Sequence, residues 1–119
     1  MKVAIIDDSE LLVATAVRNI SEAGYEAVGF TERGPSGIYG PKGKIVDISF
    51  RQAFTGVDVL FLDHNMPEKG DSLLARLREM GLVTTQRVIG ISSSPQTYLK
   101  ERVPSHMLNS VEALKSLLG

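Results

Sequence analysis

The sequence predicts a doubly wound α/β domain: five short strands in a parallel sheet, with helices on both faces. Three observations carry this. Short apolar runs such as Val3-Ala4-Ile5-Ile6 and Val57 to Leu62 have the length and composition of fully buried strands. Between such runs lie stretches whose apolar residues recur at helical spacing. The two patterns alternate along the chain, as a sheet built from βαβ units requires.

The elements follow in order. Lys2 to Ile6 reads as a buried strand ended by Asp7-Asp8-Ser9. Leu12, Val13, Ala16, Val17, Ile20 and Ala23 give the apolar stripe of a helix from Ser9 to Ala23. Asp8 or Ser9 can cap it, and Gly24 stands where a left-handed residue closes a helix. Tyr25 to Thr31 is a less apolar strand, suited to a sheet edge. Six glycines and prolines then fall between Gly34 and Gly43, a density that forbids a regular helix. Ile38-Tyr39 and Ile45-Val46 can pair there as a small hairpin. Ser49 and Gln52 stand at capping-box spacing for a short helix to Thr55, which Gly56 can end.

Val57 to Leu62 is the third strand. Leu73, Leu74 and Leu77 stripe a helix over Asp71 to Met80, with Gly81 at its end. Arg87 to Ile91 is the fourth strand, closed by Ser92-Ser93-Ser94. Pro95 suits the first turn of a further helix, capped by Ser94 and ended by Pro104. His106-Met107-Leu108 is the expected fifth strand. Ser110 caps a last helix with the face Val111, Leu114, Leu117 and Leu118. One domain, residues 1–119, accounts for the whole sequence, with a Gly/Pro-rich insertion around 32–46.

Composition narrows the function. Thirteen basic and 14 acidic side chains leave a net charge of -1, which offers no electrostatic pull toward nucleic acid or a membrane surface. The longest apolar runs are far too short to span a bilayer. Without cysteine there is neither a disulfide framework nor thiol chemistry, which fits a cytoplasmic setting.

Three acids fall at strand ends: Asp7 and Asp8 after the first strand, Asp63 after the third. In the flavodoxin-like strand order 2-1-3-4-5 these strands are neighbours, and their carboxyl ends open into one crevice. Three carboxylates there repel one another and raise the pKa of at least one, unless a cation enters. Mg²⁺ suits an oxygen-rich pocket that supplies one or two carboxylates and leaves room for water and a phosphoryl oxygen. The backbone carbonyl of Asn65 can add a ligand, and Ser92 at the end of strand four can donate a hydrogen bond to a phosphoryl group. A carboxylate beside bound Mg²⁺ can itself attack phosphorus. The plainer reading makes Asp7-Asp8 a helix cap, His64 an exposed loop side chain and His106 a strand-end residue.

Ile5-Ile6-Asp7-Asp8-Ser9, Asp58 to Pro67 and Val88-Ile89-Gly90-Ile91-Ser92 resemble the receiver domains of two-component response regulators. The middle motif is the specific one: an aspartate, two residues, then Met66-Pro67, on an apolar strand that itself begins with Asp58. The resemblance implies that Asp63 is the phosphoacceptor, Asp8 a direct Mg²⁺ ligand, Asp7 a water-mediated one, and Ser92 the switch hydroxyl. It implies a sensor histidine kinase or phosphotransfer protein as donor, slow self-dephosphorylation rather than substrate turnover, and an unknown downstream protein as receiver of the signal. The family carries a lysine, usually followed by proline, at the end of strand five. Aligned on the expected fifth strand, that place falls on Asn109-Ser110, and the family's switch aromatic falls on His106. With no lysine there, a degenerate receiver acting as a phosphorylation-independent binding module is the alternative. A phosphoester-hydrolysing enzyme is the weakest reading, since no general base is evident.

Overall fold

The computed structural model describes residues 1–31, 52–64, 69–91 and 99–119. The Gly/Pro-rich insertion, its expected hairpin and the first residues of the helix expected over 49–55 lie outside them. The elements are β1 (Lys2–Ile6), α1 (Glu10–Glu22), β2 (Glu26–Phe30), β3 (Val59–Leu62), α2 (Gly70–Glu79), β4 (Arg87–Ile91), β5 (Glu101–Val103), a 3-10 helix (Ser105–Asn109) and α3 (Val111–Leu118). Residues 52–54 are also helical. The five strands form one sheet of order β2-β1-β3-β4-β5 with every pairing parallel, the expected doubly wound arrangement.

Side chains on a strand alternate between the two faces, and the core divides accordingly. Val3 and Ile5 of β1, Val59 and Phe61 of β3, and Ile89 and Ile91 of β4 pack against Val13, Ala16 and Ile20 of α1 and Leu114 and Leu118 of α3. Ala4, Ile6, Leu60 and Leu62 turn to the other face and meet Phe54, Val57 and the α2 stripe Leu73, Leu74 and Leu77. A strand covered on both sides has no polar face, which is why β1 and β3 read as unbroken apolar runs. β2, at the sheet edge, is only partly buried over most of its length.

The helix ends follow local chemistry. Ser9, in an extended conformation, caps α1 by accepting the Leu12 N–H on its hydroxyl at 3.3 Å. Ser110 caps α3 through the Ala113 N–H at 3.1 Å. Gly24, at φ 99°, follows α1 in the left-handed region. Gly29 has a different reason to lack a side chain. A Cβ there would lie 2.8 Å from Val17 Cγ2 and closer still to Val13 Cγ1, so glycine lets α1 sit against β2. β-Branched side chains have little rotamer freedom in a helix with which to yield. Gly29→Ala is therefore expected to lower unfolding free energy by about 1–3 kcal/mol, the usual cost of overpacking, read from the urea midpoint.

Register is pinned away from the strand tops. Asp58 Oδ2 accepts the Lys2 backbone N–H at 2.9 Å, and the Asp58 N–H donates to Lys2 O at 2.8 Å. These bonds fix β1 against β3 at their starts and set Ile6 opposite Leu62 at their ends. Arg87 grips Glu101 with two bonds, Nε to Oε1 at 2.8 Å and Nη2 to Oε2 at 2.6 Å, and donates from Nη1 to Leu117 O at 2.9 Å. One guanidinium thus ties β4 to β5 and α3. Asn19, buried on α1, donates from Nδ2 to Leu108 O at 2.9 Å and anchors the 3-10 helix. Asn19→Ala strands that buried carbonyl, so a loss of about 1–3 kcal/mol is expected in the same denaturation experiment.

The C-terminal third corrects one expectation. The fifth strand is Glu101–Val103, and His106-Met107-Leu108 belong to the 3-10 helix after it. The helix expected to run to Pro104 does not, because Glu101–Val103 pairs with β4. Charged Glu101 and Arg102 disguise the strand: at an open sheet edge only one face needs apolar cover. The apolar residue Leu108, which suggested a strand, is instead buried as the 3-10 helix docks on α1.

Candidate functional site

The site grows out of the β1–β3 pairing. Ile6 and Leu62 are partners in register, and the Asp63 N–H donates to Ile6 O at 3.0 Å. The Asp7 N–H donates to Phe30 O at 3.2 Å. Each bond carries the ladder one residue past the last strand position. Asp7 and Asp63 are therefore held side by side on backbone whose geometry the sheet dictates. Both are buried, Asp7 at 4% and Asp63 at 8% exposure, while Asp8 is exposed. Carboxylate oxygens of the three residues lie within 4.8 Å of one another. The sequence-predicted acids thus converge at the carboxyl edge of the sheet, between its first and third strands.

The plain alternative for Asp7-Asp8 is a helix cap, and the structure gives that role to Ser9. Asp8 is left as an exposed carboxylate at the rim. Asp7 Oδ1 accepts the Ser9 N–H at 2.8 Å, an Asx turn that bends the chain from β1 into α1. That bond favours the charged form of Asp7, but burial outweighs it. With the negative charges of Asp63 and Asp8 and a hydrogen bond to Asp8 adding to the burial cost, the Asp7 pKa rises from 3.8 to about 7. Three carboxylates crowded this closely are a group that could hold a cation. The donor set fits Mg²⁺, which is bound by one or two carboxylates with water filling its other positions. Asp7, Asp8 and Asp63 are the described residues able to hold it. Asn65 and Ser92 lie outside the described residues, although the strand that leads to each ends at this same edge, β3 at Leu62 and β4 at Ile91. The Gly70 N–H donates to His64 O at 3.2 Å, one residue past Asp63.

The corrected fifth strand moves one site position. β5 ends on Val103, partner of Ile91, and Pro104 follows. Beside Ile91, the last residue of β4, the fifth strand therefore ends on Val103 followed by Pro104, not on Asn109-Ser110, and three residues before Val103 stands Lys100, not His106. Asn109 and His106 lie in the 3-10 helix that follows β5, not on the strand. The expected cation is still missing, but a half-buried valine packed toward α1 and α3 takes its place. Pro104, directly after β5, was the signal in the sequence for where the strand ends.

No family model matches the sequence, and no curated protein matches it. Solved structures do. The chain is similar to the chemotaxis protein CheY4 of Vibrio cholerae (17% identity, TM-score 0.71), covering 98% of this chain and 94% of that one. It is similar to the receiver domain of the hybrid histidine kinase CckA (21%, 0.69), with 99% and 95% covered. A CheY-like receiver domain from Methylobacillus flagellatus aligns equally well (17%, 0.69), over 99% and 95%. The chain has the receiver-domain fold over nearly its entire length.

Proposed function

We propose that the chain is a phosphorylation switch in which Asp63 takes a phosphoryl group from a phosphohistidine on a sensor histidine kinase or phosphotransfer protein. The observation that carries this reading is the meeting of Asp7, Asp8 and Asp63 at one sheet edge, their oxygens within 4.8 Å. An oxygen of Asp63 attacks phosphorus, forming an O–P bond as the N–P bond of the donor breaks; the imidazole leaves with the electron pair and takes up a proton. Bound Mg²⁺ would neutralise charge on the transferred group. Asp8 and Asp63 are its proposed direct ligands, with Asn65 through its backbone oxygen and Asp7 through water. Asp7 and Asp8 would orient the cation, while the short β1 and β3 ends fix Asp63 for in-line approach. The Ser92 hydroxyl is the proposed donor to a phosphoryl oxygen. Among the described residues no helix is long and apolar enough to cross a membrane, and a cytoplasmic location accords with this reading and with the absence of cysteine.

The test is intact-mass spectrometry after incubation with acetyl phosphate. One added phosphoryl group is expected with Mg²⁺, none with EDTA, and none in Asp63→Asn. Uptake by Asp63→Asn, or no uptake by the wild type, would refute the assignment.

Val103 favours a second reading. A strand five without its cation has less pull from a phosphoryl group, as in a degenerate receiver that binds its partner constitutively. That reading requires equal partner affinity for wild type and Asp63→Ala.

A further inference from the structure

We propose that the start of β4 and β5, at the opposite edge of the sheet from Asp63, is a docking surface for an acidic segment of a partner protein that carries an apolar side chain among its carboxylates. An open cleft of about 280 Å³ lies there between the last turn of α2 and the two strands. Its apolar walls are Val88 and Leu99, both half-buried against the core yet reachable from the cleft. Its polar rim is Arg78, Arg87, Lys100 and Glu101. The single acid is already engaged, since Glu101 accepts from both Nε and Nη2 of Arg87. The grip also holds the Arg87 guanidinium in place, so its remaining N–H groups are presented without the usual entropy cost. Arg78 and Lys100 are exposed and have no hydrogen-bond or ion-pair partner among the described residues.

This positive charge is local. The whole chain has a net charge of -1, yet residues 69–119 hold seven cations against four acids. A protein of pI about 6.1 with one cationic cleft is not built for nucleic acid, which calls for a basic stripe and a high pI. Charge complementarity to carboxylates around an apolar anchor is what the rim and walls offer together: the anchor removes Val88 and Leu99 from water, and the rim selects the sign of its flanks. The surface does not depend on phosphorylation of Asp63.

The experiment is an NMR titration of the wild-type chain with a peptide of one leucine flanked on each side by two acidic residues. Shifts confined to Arg78, Val88, Leu99, Lys100 and Glu101 are expected, and equally so in Asp63→Asn. The double variant Arg78→Gln/Lys100→Glu should weaken binding tenfold or more, while Lys115→Gln, on the exposed side of α3, should leave it unchanged. Replacing the peptide leucine by serine should also weaken binding severalfold. The proposal is overturned by shifts elsewhere, by equal affinity for the serine peptide, by an unaffected double variant, or by tighter binding of a single-stranded oligonucleotide at the same residues.

Discussion

In the absence of divalent metal, the protein is expected to lose stability as the pH rises from about 4 to about 7, and Asp7→Asn is expected to remove that loss. In the folded chain burial, aided by the neighbouring charges of Asp63 and Asp8, holds Asp7 protonated up to about pH 7; unfolded, it ionises near 3.8. Between these values the folded state binds the extra proton, so raising the pH favours unfolding. Below both values the two states are protonated alike and no penalty exists; above about 7 the penalty is complete and levels off. Each tenfold change in proton affinity corresponds to about 1.4 kcal/mol, which makes the full effect a few kcal/mol, a large share of a small domain's stability. Mg²⁺ should reverse it. Metal binds the ionised carboxylates, so millimolar Mg²⁺ should raise the thermal midpoint at pH 8 and much less at pH 5, where protons compete. The comparison is of urea and thermal midpoints for wild type and Asp7→Asn across this range, in EDTA and in Mg²⁺. Glu101, held below its usual pKa by the Arg87 guanidinium, has the opposite slope, but it is common to both proteins and cancels in the difference. Parallel profiles for the two, or a wild type indifferent to Mg²⁺ at pH 8, would remove the cation-pocket reading of these three acids.

That Asp7, Asp8 and Asp63 meet was legible in the sequence because the parallel sheet leaves few choices. Two apolar runs that each end on an acid become neighbours once the strand order is 2-1-3-4-5, and backbone pairing then places the acids to within a residue. The helix stops at Gly24 and Gly81 were equally legible, since left-handed backbone has a residue preference that needs no tertiary context. A raised pKa for at least one of the three acids was expected from their crowding; what the residues alone did not reveal is that it falls on Asp7 and that burial between the flanking strands is its largest cause. β5 was hidden for another reason. Glu101-Arg102-Val103 has no strand pattern; it pairs because Ile89, Gly90 and Ile91 present an open edge and because Arg87 captures Glu101. Leu108 meanwhile carried the apolar signal of a strand and was spent on the α1 interface.

The placement of β5 leads to the second large effect, which is expected from Val103→Lys. Val103 closes the strand beside β4 and precedes Pro104, where the proposed receiver reading would expect a lysine. A lysine there can reach from the strand end toward the Asp63 crevice, its aliphatic stem covering part of the surface that valine now covers. A charge pair at about 4 Å is worth roughly 4 kcal/mol at an effective dielectric of 20, before desolvation is subtracted. Even a third of that is tenfold in affinity. Val103→Lys should therefore bind the phosphoryl mimic beryllofluoride, in the presence of Mg²⁺, at least tenfold more tightly than the wild type. Beryllofluoride should also shift the amide resonances of Glu101, Arg102 and residue 103 in the variant and leave those of the wild type nearly still, because only a cation on β5 transmits the pull. Val103→Met, of similar length but uncharged, controls for altered packing and should behave as the wild type does. If the wild-type β5 already moves as far as that of the variant, phosphorylation is read out without a strand-five cation, and the valine is no mark of degeneracy. If neither moves while both bind the mimic equally, the crevice holds its phosphoryl group without help from strand five, and the signal must leave through β1 and α1, whose caps and carboxylates share the site.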